Sequence, residues 1–474
     1  MKAKNYINGE WKEGSLGTLE MINPSYNRNI GEIASSGKQD VDEAVSAARN
    51  AFDGEWGKTE AAERGRLLQQ TAEILKKHRD ELAEIESKDT GKPLSQARAD
   101  AGLIARYFEF YAGAADKLHG ETIPYQNGYT VFTQRVPYGV TGHIIPWNYP
   151  LQMTGRTLGP ALAAGNATVF KPAEDACLSV IRVFELMEAV GFPPGAVNLV
   201  TGTGEDAGSA LVNHPGIDKV SFTGSPVVGS KVMKQSGDHI RPVILELGGK
   251  SPQVVFEDAD LEAALPVIVN AIIQNAGQTC SAGSRLVIQE SIHGKVTEML
   301  IERFNSLKVG PAEEDPDIGP LINRKQLDRV TEYVDRALEG GAEIAAQAQN
   351  YDGDGFYYPP TLLEQVQNSS FIAQNEIFGP VLSVIPFSDE ESAIRIANDV
   401  DYGLTAAVWT ADTGRALRVS NAIRAGQVFI NGYGAGGGVE LPFGGMKKSG
   451  FGREKGFEAM HDVTTVKTTV INHG

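Results

Sequence analysis

Short apolar runs alternate with amphipathic segments between residues 141 and 249, and no other feature of the chain constrains its fold as much. The segments with helical periodicity lie at 175–190, 205–213 and 226–236. Strand and helix in alternation predict parallel α/β layers. Ligands of such sheets bind at the carboxyl ends of the strands, where this chain carries glycines. The apolar runs are ATVFK (167–171), AVNLVTG (196–202), KVSFTGS (219–225) and PVILELGG (242–249).

A second region of the same kind follows, so we expect two α/β domains with mainly parallel sheets. A chain of 474 residues exceeds the roughly 250 to 300 residues at which single cores stop growing, which agrees with this division. Helical stretches such as DRVTEYVDRALEGG separate the strand-like runs of this region. These runs are SPQVVFE (251–257), RLVIQE (285–290), VLSVIPF (381–387), LTAAVWT (404–410) and GQVFING (426–432).

Two further runs fit neither region. YTVFTQRVPYGV (129–140) and the tail VTTVKTTVI (463–471) are rich in β-branched residues and alternate in polarity. Strands that belong to neither sheet often pair outside their domain. We therefore expect their pairing partner to be another subunit.

Charge and composition exclude several classes of protein. The chain has 43 Lys and Arg against 60 Asp and Glu, a net charge of −17, so we expect no nucleic-acid partner. Apolar runs fall short of the roughly 20 residues of a membrane span, and MKAKNYINGEW lacks the apolar middle of a signal peptide. We expect a cytoplasmic protein without a membrane partner. The two cysteines lack the number of a disulfide framework and the spacing of a zinc site, so we expect no metal.

The two cysteines have different surroundings. Cys177 opens a segment of helical periodicity, which favours a small buried hydrophobe. Cys280 lies in NAGQTCSAGSR (275–285), between Gly277 and Gly283 and among small polar residues. Small neighbours let the backbone approach a ligand and leave the sulfur accessible. The residues alone leave both interpretations of Cys280 open, a packing residue and a nucleophile.

Two strand ends could hold a dinucleotide. GTGEDAG (202–208) spaces its glycines as GxGxxxG, which differs from the ordinary fingerprint and is a weak signal. In FTGSPVVG, Gly224 permits a tight turn, Ser225 can cap a helix and Pro226 suits the first helical position. The N-H groups of that helix start would suit a pyrophosphate. The alternative is an ordinary turn from strand to helix.

Seven motifs in order resemble those of the NAD(P)-dependent aldehyde dehydrogenase superfamily. They are IPWNYP (145–150), FKPAE (170–174), FTGS (222–225), LELGGKSP (245–252), GQTCSAGSR (277–285), EIFGPV (376–381) and PFGGMKKSGFGRE (442–454). The resemblance covers nearly the whole chain. It implies a Rossmann-like cofactor domain, a catalytic domain and a small β oligomerisation element.

The resemblance also implies a catalytic set. Cys280 matches the nucleophile that forms a thiohemiacetal and then a thioester. The side-chain amide of Asn148 and the backbone N-H of Cys280 match the donors to the developing oxyanion. Glu246 matches the general base that activates the hydrolytic water. Taken alone, Glu246 is also consistent with a strand-end carboxylate that caps a neighbouring backbone.

The cofactor residues are implied in the same way. Ser225 and the Gly224 backbone match the pyrophosphate seat, Lys171 and Glu174 the adenosine ribose, and Glu376 the nicotinamide ribose. A carboxylate at the adenosine ribose repels a 2′-phosphate, so we expect NAD rather than NADP. The full predicted set is Ile145, Pro146, Trp147, Lys171, Pro172, Glu174, Gly204, Phe222, Thr223, Gly224, Ser225, Leu247, Gly248, Glu376 and Phe378.

The substrate pocket departs from the family pattern. Arg156, Gln274 and Gly437 occupy positions that many relatives fill with aromatic residues. Arginine at the position of Arg156 occurs in relatives that take carboxylate-bearing semialdehydes and in relatives that take aromatic aldehydes; pairing with a local acid at the pocket mouth is the third interpretation. We expect a polar or anionic aldehyde. The predicted pocket residues are Tyr149, Met153, Arg156, Gln274, Thr279, Ser281 and Phe443.

Thr157 is a second departure. Many relatives have a lysine here, which is proposed to move protons or to stabilise the substrate oxygen. A hydroxyl donates one hydrogen bond and brings no charge. We therefore expect another route for the proton, through Glu246 and water.

The resemblance implies domain bounds and an assembly. We expect an NAD-binding domain at 1–118 and 140–248, a catalytic domain at 249–445, and an oligomerisation element at 119–139 and 446–474, which joins subunits into a dimer or tetramer. Two other functions stay open at this point. A relative that passes the acyl group to coenzyme A would generally lack the glutamate base, and an idle scaffold would have lost part of the catalytic set.

Overall fold

The computed structural model describes residues 2–434 and 438–474, and its largest sheet has eight strands. Five adjacent strands are parallel, and the outer ones are antiparallel. Four of these strands fall within the four apolar runs between residues 167 and 249, which confirms the predicted α/β layer. In spatial order the strands are Gly450–Phe451, Val243–Glu246, Lys219–Thr223, Val140–Ile144, Ala167–Lys171, Val197–Leu199, Asn5–Ile7 and Glu10–Lys12.

Helices cover this sheet and bury its apolar residues in a continuous core. Cys177 lies at the start of the helix Leu178–Glu188 and is fully buried, as its surroundings predict. The segment 205–213 differs from the predicted helix, because a π-type turn at Gly204–Gly208 precedes the short helix Ser209–Asn213. The other helices of this part are Lys38–Asp53, Ala61–Lys77, Arg79–Thr90, Leu94–Ala114, Pro150–Ala164 and Pro226–Asp238.

The register of the parallel strands aligns their carboxyl ends. Thr223 lies opposite Glu246, Phe222 lies opposite Ile144, and Ile144 lies opposite Lys171. Side chains from four separate segments therefore meet at one edge of the sheet, where a ligand of a parallel sheet binds.

A seven-stranded sheet forms the second region, and all its neighbouring strands are parallel except at one edge. Its apolar side chains form a core with helices on the sheet. The helices are Leu261–Ile273, His293–Asn305, Arg324–Glu339, Phe371–Gln374, Glu390–Asn398 and Thr413–Ala422. The strands in spatial order are Glu343–Gln347, Thr361–Glu364, Val381–Phe387, Arg285–Gln289, Pro252–Val255, Thr405–Trp409 and Gln427–Ile430.

The two runs that fit neither region pair with each other. The strand edges that face each other therefore have their partner within the chain, which corrects the expectation of a partner in another subunit. Thr464–Asn472 is antiparallel to Tyr129–Pro137 over nine residue pairs, and Thr122–Ile123 adds a third strand. The tail strand is an edge of this sheet, and Val466, Val470 and Ile471 on it are exposed.

The segment before the tail, which the sequence grouped with the oligomerisation element, pairs with strands of other parts of the chain. Gly450–Phe451 pairs with Leu245 and Glu246 at the edge of the eight-stranded sheet, and Met446–Lys447 pairs with Tyr402–Gly403. Backbone hydrogen bonds thus attach this stretch to both large regions. The remaining N-terminal sheet consists of Lys2–Ala3, Arg28–Ala34 and Thr18–Asn23.

Over the described ranges, the structure contains no helix with the length and apolar character needed to cross a bilayer.

Candidate active site

The loop that carries Cys280 begins with an unusual backbone. Asn275, Ala276 and Gly277 follow the helix Leu261–Ile273 with φ values of 50°, 53° and 71°. Three consecutive left-handed residues reverse the chain sharply, which is uncommon for residues other than glycine. A side chain at Gly277 would collide with the backbone of Gly379. The sharp turn places Cys280 over the ends of the strands.

Two hydrogen bonds hold Asn148 against the loop that carries Cys280. Its side-chain Nδ2 donates to the carbonyl of Gln278 at 2.9 Å, and Asn275 Nδ2 donates to the carbonyl of Asn148 at 2.9 Å. The second N-H of the Asn148 amide remains available to another acceptor. Gly249 approaches so closely that a Cβ there would overlap the carbonyl oxygen of Cys280. The three segments therefore form one tight assembly.

Cys280 opens into a cleft of about 600 Å³. All seven predicted pocket residues line it, so the structure brings them together around the sulfur. Gly437, which the sequence also placed near the pocket, lies outside the described residues. Sequence reasoning missed further lining residues, whose positions carry no pattern of their own: Gln152, Val267, Asn270, Ala271, Tyr433 and Gly434.

A buried ionic cluster supports the wall of this cleft. Lys92 Nζ lies 2.9 Å from Glu86 Oε1, contacts Asp100, and sits 4.2 Å from the centre of the Tyr149 ring. The Tyr149 hydroxyl is 2.7 Å from Oγ1 of Thr279, the residue before Cys280. We refer to Glu86, Lys92 and Asp100 as the Lys92 cluster. Sequence reasoning missed it, because its members are ordinary charged residues of two helices and the connection between them.

The Cys280 thiol is neutral in this environment. Burial raises the pKa of Cys280 to about 12, although the positive charge of Arg156 opposes the shift. The sulfur retains partial exposure towards the cleft. A thiol of this kind requires a nearby base when it attacks a carbonyl.

Glu246 is the nearby carboxylate with the properties of such a base. It ends the strand Val243–Glu246 and is 1% exposed. Burial raises the pKa of Glu246 to about 8, and the charge of Arg156 partly opposes this shift. Its Oε1 is buried without a hydrogen-bond partner, so this oxygen can accept a proton. A pKa near the working pH suits a general base.

Arg156 contacts two buried carboxylates and an aromatic ring. Its Nη2 lies 3.1 Å from Glu246 Oε2, and its Nε forms an ion pair with Glu454. The guanidinium also packs 4.3 Å from the ring centre of Phe443. The sequence left three interpretations of Arg156 open, and the structure favours the third, pairing with a local acid. The two ion pairs lie in the interior of the protein rather than at the pocket mouth. A substrate carboxylate would have to compete with these two carboxylates for the guanidinium.

The predicted pyrophosphate seat has the expected local structure. The strand Lys219–Thr223 is followed by Ser225, which caps the helix Pro226–Asp238 by accepting the N-H of Val228 at 3.3 Å. Pro226 occupies the first helical position. Helix starts of this kind present N-H groups and the positive end of the dipole to anions.

The predicted adenosine-ribose pair lies at the end of the strand Ala167–Lys171, two strands away in the sheet. Lys171 Nζ is 3.1 Å from Glu174 Oε2, and Glu174 Oε1 accepts the backbone N-H of Gly204 at 3.1 Å. Lys171 is buried, whereas the Glu174 side chain keeps 38% of its exposure. This carboxylate can therefore accept ribose hydroxyls from the solvent side.

The predicted nicotinamide end lies between the two sheets. Glu376 Oε1 accepts the N-H of Gly249 at 3.0 Å, and burial raises the pKa of Glu376 to about 7. Trp147 and Phe378 meet edge to face with ring centres 5.4 Å apart. A Cβ at Gly248 would overlap the Glu376 carboxylate, which would have to move. The other predicted cofactor residues lie at or just after the carboxyl ends of strands of the eight-stranded sheet: Ile145, Pro146, Pro172, Phe222, Thr223 and Leu247.

This donor set suits a dinucleotide. A helix start for phosphates and the Glu174 carboxylate lie at the carboxyl ends of the eight-stranded sheet, and the seven-stranded region adds the Glu376 carboxylate and the Phe378 ring. Thr223 Oγ1, on the strand before the helix start, is buried there without a hydrogen-bond partner.

Comparison with known proteins identifies the family. A model described as the aldehyde dehydrogenase family matches residues 11–469. The chain belongs to the aldehyde dehydrogenase family. An aldehyde dehydrogenase of Emericella nidulans is 42% identical over 466 residues, covering 98% of this chain and 94% of the relative. The betaine aldehyde dehydrogenase of Bacillus subtilis is 41% identical over 471 residues, covering 98% and 96%.

Solved structures agree with this family assignment. A Burkholderia cenocepacia protein that has been proposed to be an aldehyde dehydrogenase is 56% identical, with a TM-score of 0.98 and full coverage of both chains. The NAD⁺ complex of an aldehyde dehydrogenase from Bacillus cereus is 41% identical, with a TM-score of 0.98, covering 100% of this chain and 97% of that one. This protein is thus an aldehyde dehydrogenase with the α/β fold of its relatives, and the family uses a nicotinamide dinucleotide.

Proposed function

We propose that this aldehyde dehydrogenase converts an aldehyde to its carboxylic acid through a covalent bond to Cys280, with Asn148 and Glu246 as the other catalytic residues. The observation that carries the proposal is the unpartnered, buried Oε1 of Glu246 close to a neutral thiol. A carboxylate base next to the nucleophile supports hydrolysis. It disfavours both transfer to coenzyme A and an idle scaffold.

The residues act in a defined order. Ionised Glu246 takes the proton from Cys280 as the sulfur attacks the aldehyde carbon. The amide of Asn148 and the backbone N-H of Cys280 donate to the developing oxyanion. After the hydride has left, Glu246 releases its first proton to solvent and then takes a proton from water. The resulting hydroxide attacks the thioester carbon, the bond from that carbon to sulfur breaks, and the acid is released together with the Cys280 thiolate. The bound dinucleotide supplies the hydride acceptor.

Two substitutions test the catalytic set. We expect Cys280→Ala to abolish formation of reduced cofactor, because the covalent step is lost. We expect Glu246→Gln to slow steady-state acid formation by about 10²-fold or more, as for loss of a general base. Acid should form without coenzyme A, measured by chromatography with and without it. Undiminished turnover by Cys280→Ala, or acid that requires coenzyme A, contradicts the proposal.

The charges of the cleft support an uncharged aldehyde. Near the sulfur, Arg156 and Lys455 are balanced by the carboxylates of Glu246 and Glu454, so no cation is in excess for a substrate carboxylate. Tyr149 and other apolar walls suit an aromatic or aliphatic body. Asn270 and Gln274 line the cleft with amide groups. We therefore propose an uncharged aldehyde, aromatic or bearing hydroxyl groups, in place of the semialdehyde that the sequence favoured.

Matched aldehydes test this substrate class. We expect 4-hydroxybenzaldehyde to give a higher kcat/KM than 4-carboxybenzaldehyde by about tenfold or more, because burying an uncompensated carboxylate costs free energy. The aliphatic pair 4-hydroxybutanal and succinic semialdehyde separates the effect of charge from that of the ring. A preference for the carboxylate in both pairs contradicts the proposal.

Glu174 supports NAD over NADP. Its partly exposed carboxylate lies beside Gly204 at the expected adenosine end, where it would repel a 2′-phosphate. We expect the ratio of kcat/KM for NAD and NADP to fall at least tenfold in Glu174→Gln. Glu185→Gln, on the exposed face of the helix Leu178–Glu188, is the matched control. An unchanged ratio in Glu174→Gln contradicts this assignment.

The domain bounds and the oligomer remain predictions from the resemblance, and the tail strand supports the latter. Its exposed apolar residues lie on an edge strand, which is a template for pairing between chains. We propose a dimer or a dimer of dimers. Removal of residues 463–474 should lower the mass measured by light scattering or cause aggregation, whereas an unchanged assembly excludes a role of the tail.

A further inference from the structure

Arg156 joins two buried carboxylates in one charged cluster. It contacts Glu246 through Nη2 and Glu454 through Nε, and the three side chains are 7%, 1% and 4% exposed. Charge interactions are strong where water is excluded. A change to any member of this group, which we call the Arg156 cluster, therefore acts on the others.

The cluster divides the two oxygens of Glu246 between different tasks. Oε2 accepts a hydrogen bond from Arg156 at 3.1 Å, and Oε1 is buried without a partner. The arginine thus fixes the orientation of the carboxylate and leaves one oxygen for the proton. The hydroxyl of Thr157 cannot share this task, because it donates to the carbonyl of Met153 at 3.0 Å within the helix Pro150–Ala164.

Glu454 holds the arginine through a second guanidinium nitrogen, Nε. It lies in the stretch that follows Gly450–Phe451, is 3% exposed, and forms a backbone bridge with Phe443. The ring of Phe443 lies against the same guanidinium. Packing and charge therefore restrict Arg156 to the orientation in which it reaches Glu246.

We propose that Arg156, held in place by Glu454, is a positioning residue that orients Glu246 for proton transfer and sets the pH range in which this base acts. The inference rests on the proposed function, in which Glu246 is the base. It assigns to Glu454 an indirect role, through Arg156, with no contact to the reacting atoms.

The two members of the cluster act on the base with opposite signs. The cation of Arg156 favours ionised Glu246, and the anion of Glu454 favours the protonated form. The other facing groups are Arg453, which favours ionisation, the neutral Cys280 thiol, and Lys455, whose pKa burial lowers to about 7. Lys455 responds to both substitutions, because Arg156 lowers its pKa and Glu454 raises it. This response reduces each shift of Glu246 without reversing its sign.

The pH dependence of kcat/KM tests the proposal, because activity requires ionised Glu246 and rises as pH passes its pKa. In Arg156→Met we expect this rise to move up by about one pH unit or more, as for the loss of an opposite charge in contact. In Glu454→Gln, which keeps the shape of the side chain, we expect it to move down by about half a unit or more, because a like charge is lost. Arg156→Lys should recover part of the first shift.

A surface ion pair provides matched controls. Arg418 donates two hydrogen bonds of 2.8 Å to Glu390, and both side chains are on the surface of the seven-stranded region. Arg418→Met and Glu390→Gln should leave the pH profile unchanged. If Glu454→Gln reduces activity without shifting the profile, its role is only structural and the proposal is overturned. This variant decides the question even if Arg156→Met fails to fold.

Glu246→Gln separates this proposal from the proposed function. Full activity of Glu246→Gln refutes the assignment of the base itself. Loss of activity in Glu246→Gln, combined with wild-type pH profiles in the Arg156 and Glu454 variants, leaves the base in place and overturns only the positioning role. Opposite shifts in the two cluster variants support both.

Discussion

Lys92→Met should be among the most destabilising substitutions in the chain. It removes the ammonium group from between Glu86 and Asp100 while keeping most of the apolar stem. Glu86 and Lys92 are 0% exposed and Asp100 is 4% exposed, so water cannot replace the lost charge. The contact with the Tyr149 ring at 4.2 Å is lost at the same time.

The expected loss is about 3–5 kcal/mol of unfolding free energy, the cost of leaving buried charges without their partner. The loss should also depend on pH. Burial raises the pKa of Glu86 to about 7 even though Lys92 lowers it, so the folded protein retains a proton that the unfolded chain releases. Stability from this group therefore falls as pH rises from about 4.5 towards 7. Without Lys92 the pKa of Glu86 rises further, so the pH range over which stability falls extends upward. The variant should therefore lose more unfolding free energy at pH 8.5 than at pH 6.

Urea unfolding at a fixed protein concentration, followed by tryptophan fluorescence, measures the loss. Lys448→Met is the control, because its pair with Asp401 has exposed side chains and should contribute below about 1 kcal/mol. Lys92→Met combined with Asp100→Asn should recover part of the loss, since one uncompensated charge is removed. A loss in Lys92→Met no larger than that of Lys448→Met, or no dependence on pH, refutes the reasoning.

Three further outcomes follow from single contacts. Gly248→Ala would push the Glu376 carboxylate aside, so NAD affinity by calorimetry should fall about 10-fold or more, whereas Gly294→Ala, in open space, should not change it. Ser225→Ala removes the cap on the Val228 N-H and should cost about 1 kcal/mol in the same urea assay. Tyr433→Phe leaves the carbonyl of Ser281 without its donor, so kcat should fall while NAD affinity stays constant; equal changes in both would argue against a local effect.

Local pattern was enough to predict much of the fold. ATVFK forms the strand Ala167–Lys171 at the predicted bounds, because β-branched and aromatic residues suit a buried parallel strand. The cap at Ser225 follows equally from its neighbours in the chain. The helix predicted over 205–213 was wrong at its start, where the chain forms a wider, π-type turn. Glu174 accepts the N-H of Gly204 and the Thr203 hydroxyl accepts the N-H of Asp206, and both contacts favour this turn.

The Arg156 cluster could not be predicted in this way. Arg156 and Glu246 are 90 positions apart, and the interaction exists only after the strand, the helix and the C-terminal stretch have packed together. The motif PFGGMKKSGFGRE includes Glu454, so a signal was present, but nothing in the motif shows what this carboxylate contacts. The position of the tail strand depends likewise on distant pairing with Tyr129–Pro137.

Only five residues connect the strand ending at Glu246 with the strand starting at Pro252, although the two strands belong to different sheets. A rotation of one sheet against the other would pivot at this short connection, beside the sulfur and the carboxylate. Atoms near a pivot travel little, while the outer rim of the cleft travels far. The geometry would thus let a product depart through a widening mouth with the reacting groups still at working distance.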